Sequence, residues 1–302
     1  MKNNPNPLVS VIITTYKRDV VLKRAINSVL EQSYKNYEII VVDDNNPQSE
    51  YRQSTQVVMS SYANFKNIRY VKHTSNMNGA VARNTGIRSA SGEIVCFLDD
   101  DDWYYKDKLK LQVNFLLSNT EYDAVYCGWD RDNTRVIPVK EGDLSFDLLT
   151  GKNLIYTNVI MMWKYAAEKI GGWDERFKRH QEAAFLLRYF RYGFKIGVVS
   201  EVLVGFDISD RSNALKPKQN KDQIDLYLLY YSDSIEQCEN RIRNARKIIY
   251  TYRYRSIFLS YVKTNQFIDA TKIYLKMMGF IPFRFNVGLL EYFFIKFKKN
   301  FS

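Results

Sequence analysis

The sequence has 302 residues, of which 46% are hydrophobic and 25% are charged, and its formal net charge is +11. These values predict a soluble globular protein with a substantial core, in one large domain or two smaller ones. No uncharged apolar run is long enough to span a bilayer, and residues 1–7 lack the apolar core of a secretory signal. The three cysteines are widely spaced, which fits a reducing cytoplasm and argues against a zinc site made of thiolates.

The positive charge is concentrated in the C-terminal part of the chain. Residues 1–210 hold 27 Lys and Arg against 26 Asp and Glu, a net charge of +1, whereas residues 211–302 hold 17 against 7, a net charge of +10. The last 92 residues also hold 18 of the 45 aromatic side chains. This asymmetry predicts an anionic partner for the tail, either a membrane surface or a nucleic acid.

The first hundred residues alternate between apolar runs of strand length and segments with apolar residues at helical spacing. The runs are rich in β-branched residues, which favour strands. Such alternation predicts βαβ units with right-handed crossovers and a mostly parallel sheet that is covered on both faces. The predicted strands are Leu8–Thr14, Glu38–Val42, Ile68–Lys72 and Glu93–Leu98, with helices near 22–30, 49–64 and 79–91.

Polar residues follow three of these strands at the points where the strands end. They are Thr14–Tyr16, Asp43–Asp44 and Asp99–Asp102. Because open α/β sheets bind ligands at the carboxyl ends of their strands, we expect these groups to lie along one edge and form a site. Four consecutive carboxylates repel one another, and a divalent cation such as Mg²⁺, Ca²⁺ or Mn²⁺ offsets that repulsion. The acidic run therefore indicates a metal site, with a solvated acidic loop as the alternative.

The predicted edge contains no phosphate-binding loop of a known type. Neither G-x-x-x-x-G-K-[ST] nor G-x-G-x-x-G follows the first strand, which argues against an ATPase and a dinucleotide-dependent dehydrogenase. A nucleotide can still bind there if Tyr16 stacks on a base and Asp44 accepts hydrogen bonds from the base or ribose. The alternatives are strand-end packing for Tyr16 and a helix cap or turn for Asp44. For Arg83, a phosphate contact and a surface ion pair are both open.

The middle of the chain is predicted to continue with a helix over Lys106–Leu117, further strands and a second helix. A turn-rich stretch, Gly171–Phe177, leads into a helix that starts near Glu182. A carboxylate in the first helical turn is favoured by the helix dipole, which is the structural alternative to a catalytic role for Glu182. The strands predicted here are Ala124–Trp129, Asn158–Trp163 and Phe194–Val199.

From about Pro217 onward, strand patterns disappear and the chain has a helical pattern. The last helix is rich in apolar residues but is interrupted by Arg284, Glu291 and Lys296, so we expect it to lie on a bilayer rather than to cross it. Packing on the rest of the protein is the alternative. The predicted helices are 224–231, 235–262, 266–278 and 283–299.

Several of these segments together resemble family 2 glycosyltransferases of GT-A fold. The resemblance covers roughly residues 8–205 and leaves the helical tail outside it. It implies a GT-A domain over residues 1–210, with a Rossmann-like, mostly parallel central sheet flanked by helices, and a C-terminal α-helical extension over residues 211–302. The segments that carry the resemblance are Val9–Tyr16, Val41–Asp44, Ala82–Ile87, Phe97–Trp103, Gly171–Glu175 and His180–Glu182.

The resemblance also implies a reaction and its partners. The family transfers a sugar, with inversion, from a nucleotide-diphospho-sugar to a hydroxyl group, and a divalent cation, Mn²⁺ or Mg²⁺, bridges the diphosphate. For this chain we expect a UDP-linked donor and a glycan acceptor that is lipid-linked, in the synthesis of a surface polysaccharide. A mobile loop within Ser209–Lys218 is expected to close over the donor.

Site residues are carried over from the family motifs position by position. Glu182 matches the position of the catalytic base, where the family more often has Asp. Asp101 is expected to bind the metal directly, together with Asp99 at the other end of the D-x-D motif. The residues expected to bind the nucleotide-sugar are Thr14, Tyr16 and Asp44 at the nucleoside, Arg83 near the diphosphate, and Asp99 and Asp100.

Two other functions are compatible with parts of the sequence. A nucleotidyltransferase that makes sugar nucleotides also uses carboxylates and a metal, but it should have a glycine-rich phosphate loop after the first strand, and none is present. Nucleic-acid binding by the tail requires a recognisable motif or a base-stacking platform. We therefore expect that the chain has no nucleic-acid partner. We expect a cytoplasmic protein that lies at the inner face of the cell membrane, in peripheral contact with anionic lipid.

Overall fold

The computed structural model describes residues 4–132, 134–152, 155–177, 179–209 and 216–300, with the side chains of all of these except residues 19 and 293–300. The chain forms two compact units. The first comprises Met1–Leu144 and Ile155–Arg211, and the second comprises Ser145–Leu154 and Ser212–Ser302. The domain boundary predicted at 210/211 and most of the predicted closing loop lie in 210–215, outside the described residues.

The helices and strands alternate through the first unit, and the second unit is helical. The strands are β1 (Val9–Thr15), β2 (Tyr37–Asp43), β3 (Ile68–Lys72), β4 (Ile94–Asp99), β5 (Trp103–Tyr104), β6 (Ala124–Arg131), β7 (Thr134–Val136), β8 (Met161–Trp163) and β9 (Ile196–Phe206). The helices are α1 (Asp19–Leu30), α2 (Glu50–Ser60), α3 (Gly79–Ser89), α4 (Lys108–Ser118), α5 (Ser145–Thr150), a 3-10 helix (Thr157–Val159), α6 (Lys164–Lys169), α7 (Gln181–Arg191), α8 (Pro217–Tyr230), α9 (Ser232–Glu239), α10 (Ala245–Lys263), α11 (Phe267–Phe280) and α12 (Pro282–Asn300).

Within the described residues, nine strands form one sheet in the order β3-β2-β1-β4-β8-β6-β9-β5, with β7 paired to β6. The sheet is parallel from β3 to β4, as the alternating pattern predicts. Beyond β4 it is mixed, because β8 runs antiparallel to both β4 and β6 while β6 is parallel to β9. The predicted α/β class is confirmed; the four strands from β3 to β4 form a continuous parallel half, and the other half combines antiparallel pairs with the parallel pair β6–β9.

The sequence of β1, β2 and β4 explains why they form the centre of the parallel half. Their residues are buried almost without exception, which is the expected result for near-continuous apolar strands covered on both faces. Helix α3 approaches β1 closely at Gly86, where an added Cβ would overlap the side chain of Ile12. This close approach holds α3 against the strand that ends at Thr15.

The second unit is a helical cluster built around α10. Arg253 on α10 donates hydrogen bonds to the main-chain oxygens of Leu148 and Leu149 near the end of α5, so residues 145–154 belong to this unit, although they lie within the predicted first domain. The single helix predicted over 235–262 is divided into α9 and α10, and Asn244 has a left-handed φ of 62° at the break. Among the described residues, no helix is long and apolar enough to cross a membrane.

Candidate active site

The ends of β1 and β4 place Thr14 and Tyr16 beside the acidic run. Thr14 is paired with Asp99 across the two strands, and the Tyr16 main-chain N–H donates to Asp100 Oδ2 at 3.2 Å. The Tyr16 ring is 40% exposed, and the Lys17 ammonium lies 5.2 Å from its centroid. An aromatic ring in this position is accessible to a planar ligand at the carboxyl edge of the sheet.

The four consecutive aspartates have four different environments. Asp99 accepts a hydrogen bond from Arg83 at 2.6 Å, and Asp101 is paired with Arg18. Asp100 and Asp102 are buried, and Asp102 accepts hydrogen bonds from the Asn158 side chain and, at 2.8 Å, from the Asp207 main chain. Asp99 and Asp101 are therefore the two aspartates of the run that are partly exposed, and each makes a close ion pair with an arginine.

The environment raises the pKa of three of these carboxyl groups. Burial raises the pKa of Asp100 to about 8 and that of Asp102 to about 9, and the charges of Asp99 and Asp101 act in the same direction. Burial also raises the pKa of Asp101, again together with the charge of Asp99. The cluster is therefore an unfavourable place for several negative charges and a favourable place for a cation.

The donor set of the acidic run is compatible with Mg²⁺ or Mn²⁺. Among the described residues, no three His, Cys, Asp or Glu side chains converge as a complete metal cage. Mg²⁺ commonly binds through only one or two carboxylates and completes its shell with water and substrate phosphates. Asp99 and Asp101 provide such a pair of hard oxygen ligands, so the residues fit a cation that is shared with a phosphorylated ligand.

Arg83 connects the acidic run to the start of α7. Its guanidinium donates to Asp99 at 2.6 Å and to Gln181 Oε1 at 2.7 Å, and it lies 5.0 Å from the ring centroid of Trp173. The side chain is buried, and its Nε has no hydrogen-bond partner among the described residues. The structure thus contains a half-buried ion pair, in which Arg83 is buried and Asp99 is partly exposed.

Glu182 lies in the first turn of α7, next to Gln181, and its carboxylate is oriented by a hydroxyl. Thr157 Oγ1 donates to Glu182 Oε1 at 2.8 Å. The adjacent Tyr156 packs with Trp129 and Phe206 at ring-centroid distances of 5.2 and 5.1 Å. Burial raises the pKa of Tyr156, and the negative charge of Glu182 contributes to that rise. A half-buried carboxylate beside an aromatic cluster is thereby held in one orientation.

Asn84 fixes the turn that precedes α7. Its Nδ2 donates to the Trp173 main-chain oxygen at 2.9 Å and to Glu175 Oε1 at 2.8 Å, and its Oδ1 accepts from the Trp173 N–H at 2.6 Å. Gly172 has a φ of +67°, and an added Cβ there would overlap Asn84 Oδ1. The two glycines before Trp173 are therefore explained by this contact and by left-handed backbone geometry.

Asp44 is engaged by the loop that follows β3. Its Oδ1 accepts from the Met77 N–H at 2.9 Å and lies 2.7 Å from His73 Nδ1. Its Oδ2 accepts from the Asn78 N–H at 3.0 Å and from Asn76 Nδ2 at 2.7 Å. These four contacts occupy the lone pairs of the carboxylate. In this conformation Asp44 organises a loop, which agrees with the turn interpretation, and its nucleoside contact stays a prediction.

Comparison with known proteins identifies the family. The family model described as glycosyl transferase family 2 matches residues 10–190, which include Tyr16, Arg83, the acidic run and Glu182. The chain belongs to this glycosyltransferase family.

Relatives of this glycosyltransferase have been found among curated proteins and solved structures. The amylovoran biosynthesis glycosyltransferase AmsB of Erwinia amylovora is 29% identical over 275 residues, with 87% of each chain covered. An uncharacterized glycosyltransferase of Rickettsia felis is 40% identical, but that match covers 39% of this chain and 19% of the relative. The crystal structure of S. aureus TarS 1–349 in complex with UDP-GlcNAc has a TM-score of 0.56 and 18% identity, with 83% of this chain and 81% of that chain covered. These similarities confirm the GT-A fold.

Several residues that contact the predicted site in this glycosyltransferase were not identified from its sequence. Asn158 accepts from the Asp99 N–H at 3.0 Å and donates to Asp102, so it positions two members of the acidic run. Thr157 orients Glu182, Arg18 pairs with Asp101, and Gln181 accepts a hydrogen bond from Arg83. The one available signal was a polar residue, Asn158, at the start of a predicted apolar strand.

Proposed function

We propose that this glycosyltransferase transfers a sugar, with inversion, from a UDP-linked donor to a hydroxyl group of a lipid-linked glycan in the synthesis of a surface polysaccharide. The observation that carries the proposal is the link from Asp99 through Arg83 to Gln181, since it joins the acidic run to the helix turn that holds Glu182. The similarity to TarS, which was crystallised with UDP-GlcNAc, supports a UDP-linked donor. The similarity to AmsB, named for amylovoran biosynthesis, supports polysaccharide synthesis.

The donor half of the proposed site consists of residues at the ends of β1 and β4. The exposed ring of Tyr16 stacks on the nucleoside base, with Thr14 and Asp44 nearby on the same edge. Arg83, whose guanidinium lies beside the partly exposed Asp99, donates a charge-assisted hydrogen bond to a diphosphate oxygen. A Mn²⁺ or Mg²⁺ ion held by Asp99 and Asp101 would stabilise the charge that develops on the leaving diphosphate.

The acceptor half consists of Glu182 and the residues that orient it. The Glu182 carboxylate accepts the proton of the attacking hydroxyl group as its oxygen bonds to the anomeric carbon. Thr157 holds one carboxylate oxygen, so the other is directed toward the acceptor. A single base and a single displacement on the face opposite the leaving group give inversion at the anomeric carbon. Alignment of the donor and the acceptor supplies a large part of the rate acceleration.

A lipid-linked acceptor would place the reaction at a membrane surface. We therefore propose that the enzyme works in the cytoplasm, at the inner face of the cell membrane. The excess of Lys and Arg in residues 211–302 supports contact with anionic lipid there.

Release of UDP from UDP-sugars, measured with the full chain in Mn²⁺ or Mg²⁺, tests the proposal. We expect turnover of at least one UDP-sugar with wild type, and loss of turnover in Asp101→Asn because the cation loses a ligand. For Glu182→Gln we expect calorimetric binding of UDP to persist while sugar transfer falls by about 10²–10⁴-fold, the usual contribution of a general base.

Exposed acidic residues elsewhere provide matched controls. Asp222→Asn and Glu168→Gln make the same chemical changes outside the proposed site and should leave both turnover and UDP binding unchanged. Absence of UDP binding in the wild type, or Asp101→Asn turnover equal to that of Asp222→Asn, would contradict the proposed donor site. Transfer retained in Glu182→Gln would assign the base to another residue.

A further inference from the structure

Helices α11 and α12 each expose a pair of large apolar side chains. On α11 these are Ile268 and Leu275, with 75% and 62% of their surface exposed, and on α12 they are Phe283 and Leu290, with 82% and 69% exposed. The members of each pair are seven residues apart, so they lie on one face of their helix, two turns from each other. Each helix therefore has an apolar stripe that is turned toward solvent.

These exposed stripes are separate from the faces that build the helical unit. On the inner side, the rings of Tyr274 and Phe285 both lie 6.2 Å from the ring of Phe258 on α10. Arg255 on α10 also donates to the Gly288 main-chain oxygen at 2.9 Å. Packing within the unit thus uses the inner faces of α11 and α12 and does not account for the outer apolar side chains.

Basic side chains accompany the exposed apolar pairs. Residues 263–300 hold seven Lys and Arg against two Asp and Glu, a net charge of +5. Lys272 lies on α11 one turn from both Ile268 and Leu275, where it forms an exposed ion pair with Asp269 at 3.1 Å, and Arg284 follows Phe283 on α12. A stripe of Phe, Leu and Ile flanked by cations is typical of helices that lie in the interface of an anionic bilayer.

We propose that the outer faces of α11 and α12 bind the surface of an anionic lipid bilayer. The outer faces are defined by Ile268, Lys272, Leu275, Phe283, Arg284 and Leu290. The apolar side chains enter the boundary between head groups and acyl chains, and Lys272 and Arg284 stay with the lipid phosphates. This surface deepens the proposed function by bringing the enzyme to a lipid-linked acceptor, but vesicle binding requires neither donor nor acceptor and is tested independently of sugar transfer.

Vesicle flotation of the full chain tests the proposal. We expect wild type to float with vesicles of phosphatidylcholine and phosphatidylglycerol in a ratio of about two to one, and to bind them less tightly as salt rises. Phe283→Ser/Leu290→Ser should weaken binding on the order of tenfold for each side chain. Lys272→Gln/Arg284→Gln should weaken it about fivefold for each charge removed.

Exposed valines of the first unit provide the matched control. Val20 and Val57 are 85% and 71% exposed, so Val20→Ser/Val57→Ser also removes two exposed apolar side chains and should float like wild type. Circular dichroism and UDP release, both measured without vesicles, check that each variant is folded and active. Because these outputs do not depend on lipid, a failure of membrane binding is distinguishable from a failure of the proposed reaction.

Three outcomes would overturn the proposal. The first is that wild type does not float, or floats equally well with pure phosphatidylcholine. The second is that the outer-face variants float as well as the valine control. The third is that these variants leave flotation unchanged but abolish another interaction of the wild type. Loss of a dimer seen by analytical ultracentrifugation would mean that the outer faces bind a second copy, and loss of DNA retention would mean that they bind a nucleic acid.

Discussion

Replacement of Asn84 by alanine removes the side chain that fixes the turn before the proposed base. Asn84 makes three hydrogen bonds to that turn, two of them with the main chain of Trp173. Trp173 is 1% exposed, so its N–H and C=O would lose their partner without direct access to bulk water. The turn precedes Gln181 and Glu182 in the chain, so its disorder should reach the carboxylate proposed as the base.

The size of the effect follows from the groups left unpaired. A buried polar group without a partner costs about 1–3 kcal/mol, and two such groups remain on Trp173. The bond to the exposed Glu175 adds little, because water replaces it. We therefore expect Asn84→Ala to lower the free energy of unfolding by about 3 kcal/mol, which corresponds to a decrease in Tm of about 6–12 °C for a unit of this size.

Urea unfolding and steady-state kinetics together measure this prediction. Asn27→Ala provides the control, because Asn27 is an exposed helical residue of the same unit. Its side chain accepts a hydrogen bond from Tyr62, and its replacement should cost less than about 0.5 kcal/mol. Asn84→Ala should also lower kcat for sugar transfer while the Kd for UDP changes little. Stability equal to that of Asn27→Ala, together with unchanged kcat, would refute the assignment of Asn84 as the residue that positions the turn.

Three further predictions follow from other contacts. Thr157→Val removes the hydrogen bond to Glu182 and should lower kcat about ten- to a hundredfold, with an unchanged Kd for UDP. The control is Thr264→Val, an exposed change at the end of a helix, which should leave both kcat and Kd unchanged. Arg83→Lys retains the charge near Asp99, but a lysine cannot donate to Asp99 and Gln181 in the same fork geometry. Calorimetry should therefore show weaker UDP binding in this variant. An affinity equal to that of wild type would argue against a phosphate contact. Burial raises the pKa of Asp100 to about 8 and that of Asp102 to about 9, so the folded, metal-free protein binds these protons more tightly than the unfolded chain does. Its free energy of unfolding, measured by urea titration, should therefore fall as pH rises from about 5 to 9. Addition of Mn²⁺ should make this pH dependence weaker.

The parallel half of the sheet was predictable from the sequence because its signals are local. Strands β1, β2 and β4 are mostly apolar, and the segments between them have helical spacing. The mixed half was not predictable, because the insertion of the three-residue strand β8 between β4 and β6 depends on pairings between distant parts of the chain. The membership of α5 in the second unit depends in the same way on Arg253, about a hundred residues later.

The sequence also indicated part of the candidate site. The acidic run, Arg83 and Glu182 were selected by motif, and the structure brings Arg83 into contact with Asp99 and with Gln181, the neighbour of Glu182. Thr157 and Asn158 were not selected. The polar Asn158 at the start of a predicted apolar strand was a weak signal, and the role of either residue depends on what tertiary packing brings near it. The occupation of the Asp44 carboxylate by a loop some thirty residues later was equally inaccessible to local reasoning.

Helix α3 links the two halves of the proposed reaction. Its consecutive residues Arg83 and Asn84 contact different parts of the site: Arg83 joins Asp99 to Gln181, and Asn84 fixes the turn at Trp173. Gly86 in the same helix permits close contact with β1, so the helix is held at a fixed height above the strand end that carries Tyr16. This one helix therefore positions groups of both the donor half and the acceptor half of the proposed site. Displacement of α3 should change UDP binding and the orientation of Glu182 together. Replacement of Arg83 alone should mainly change UDP binding, and replacement of Asn84 alone should mainly change the orientation of Glu182.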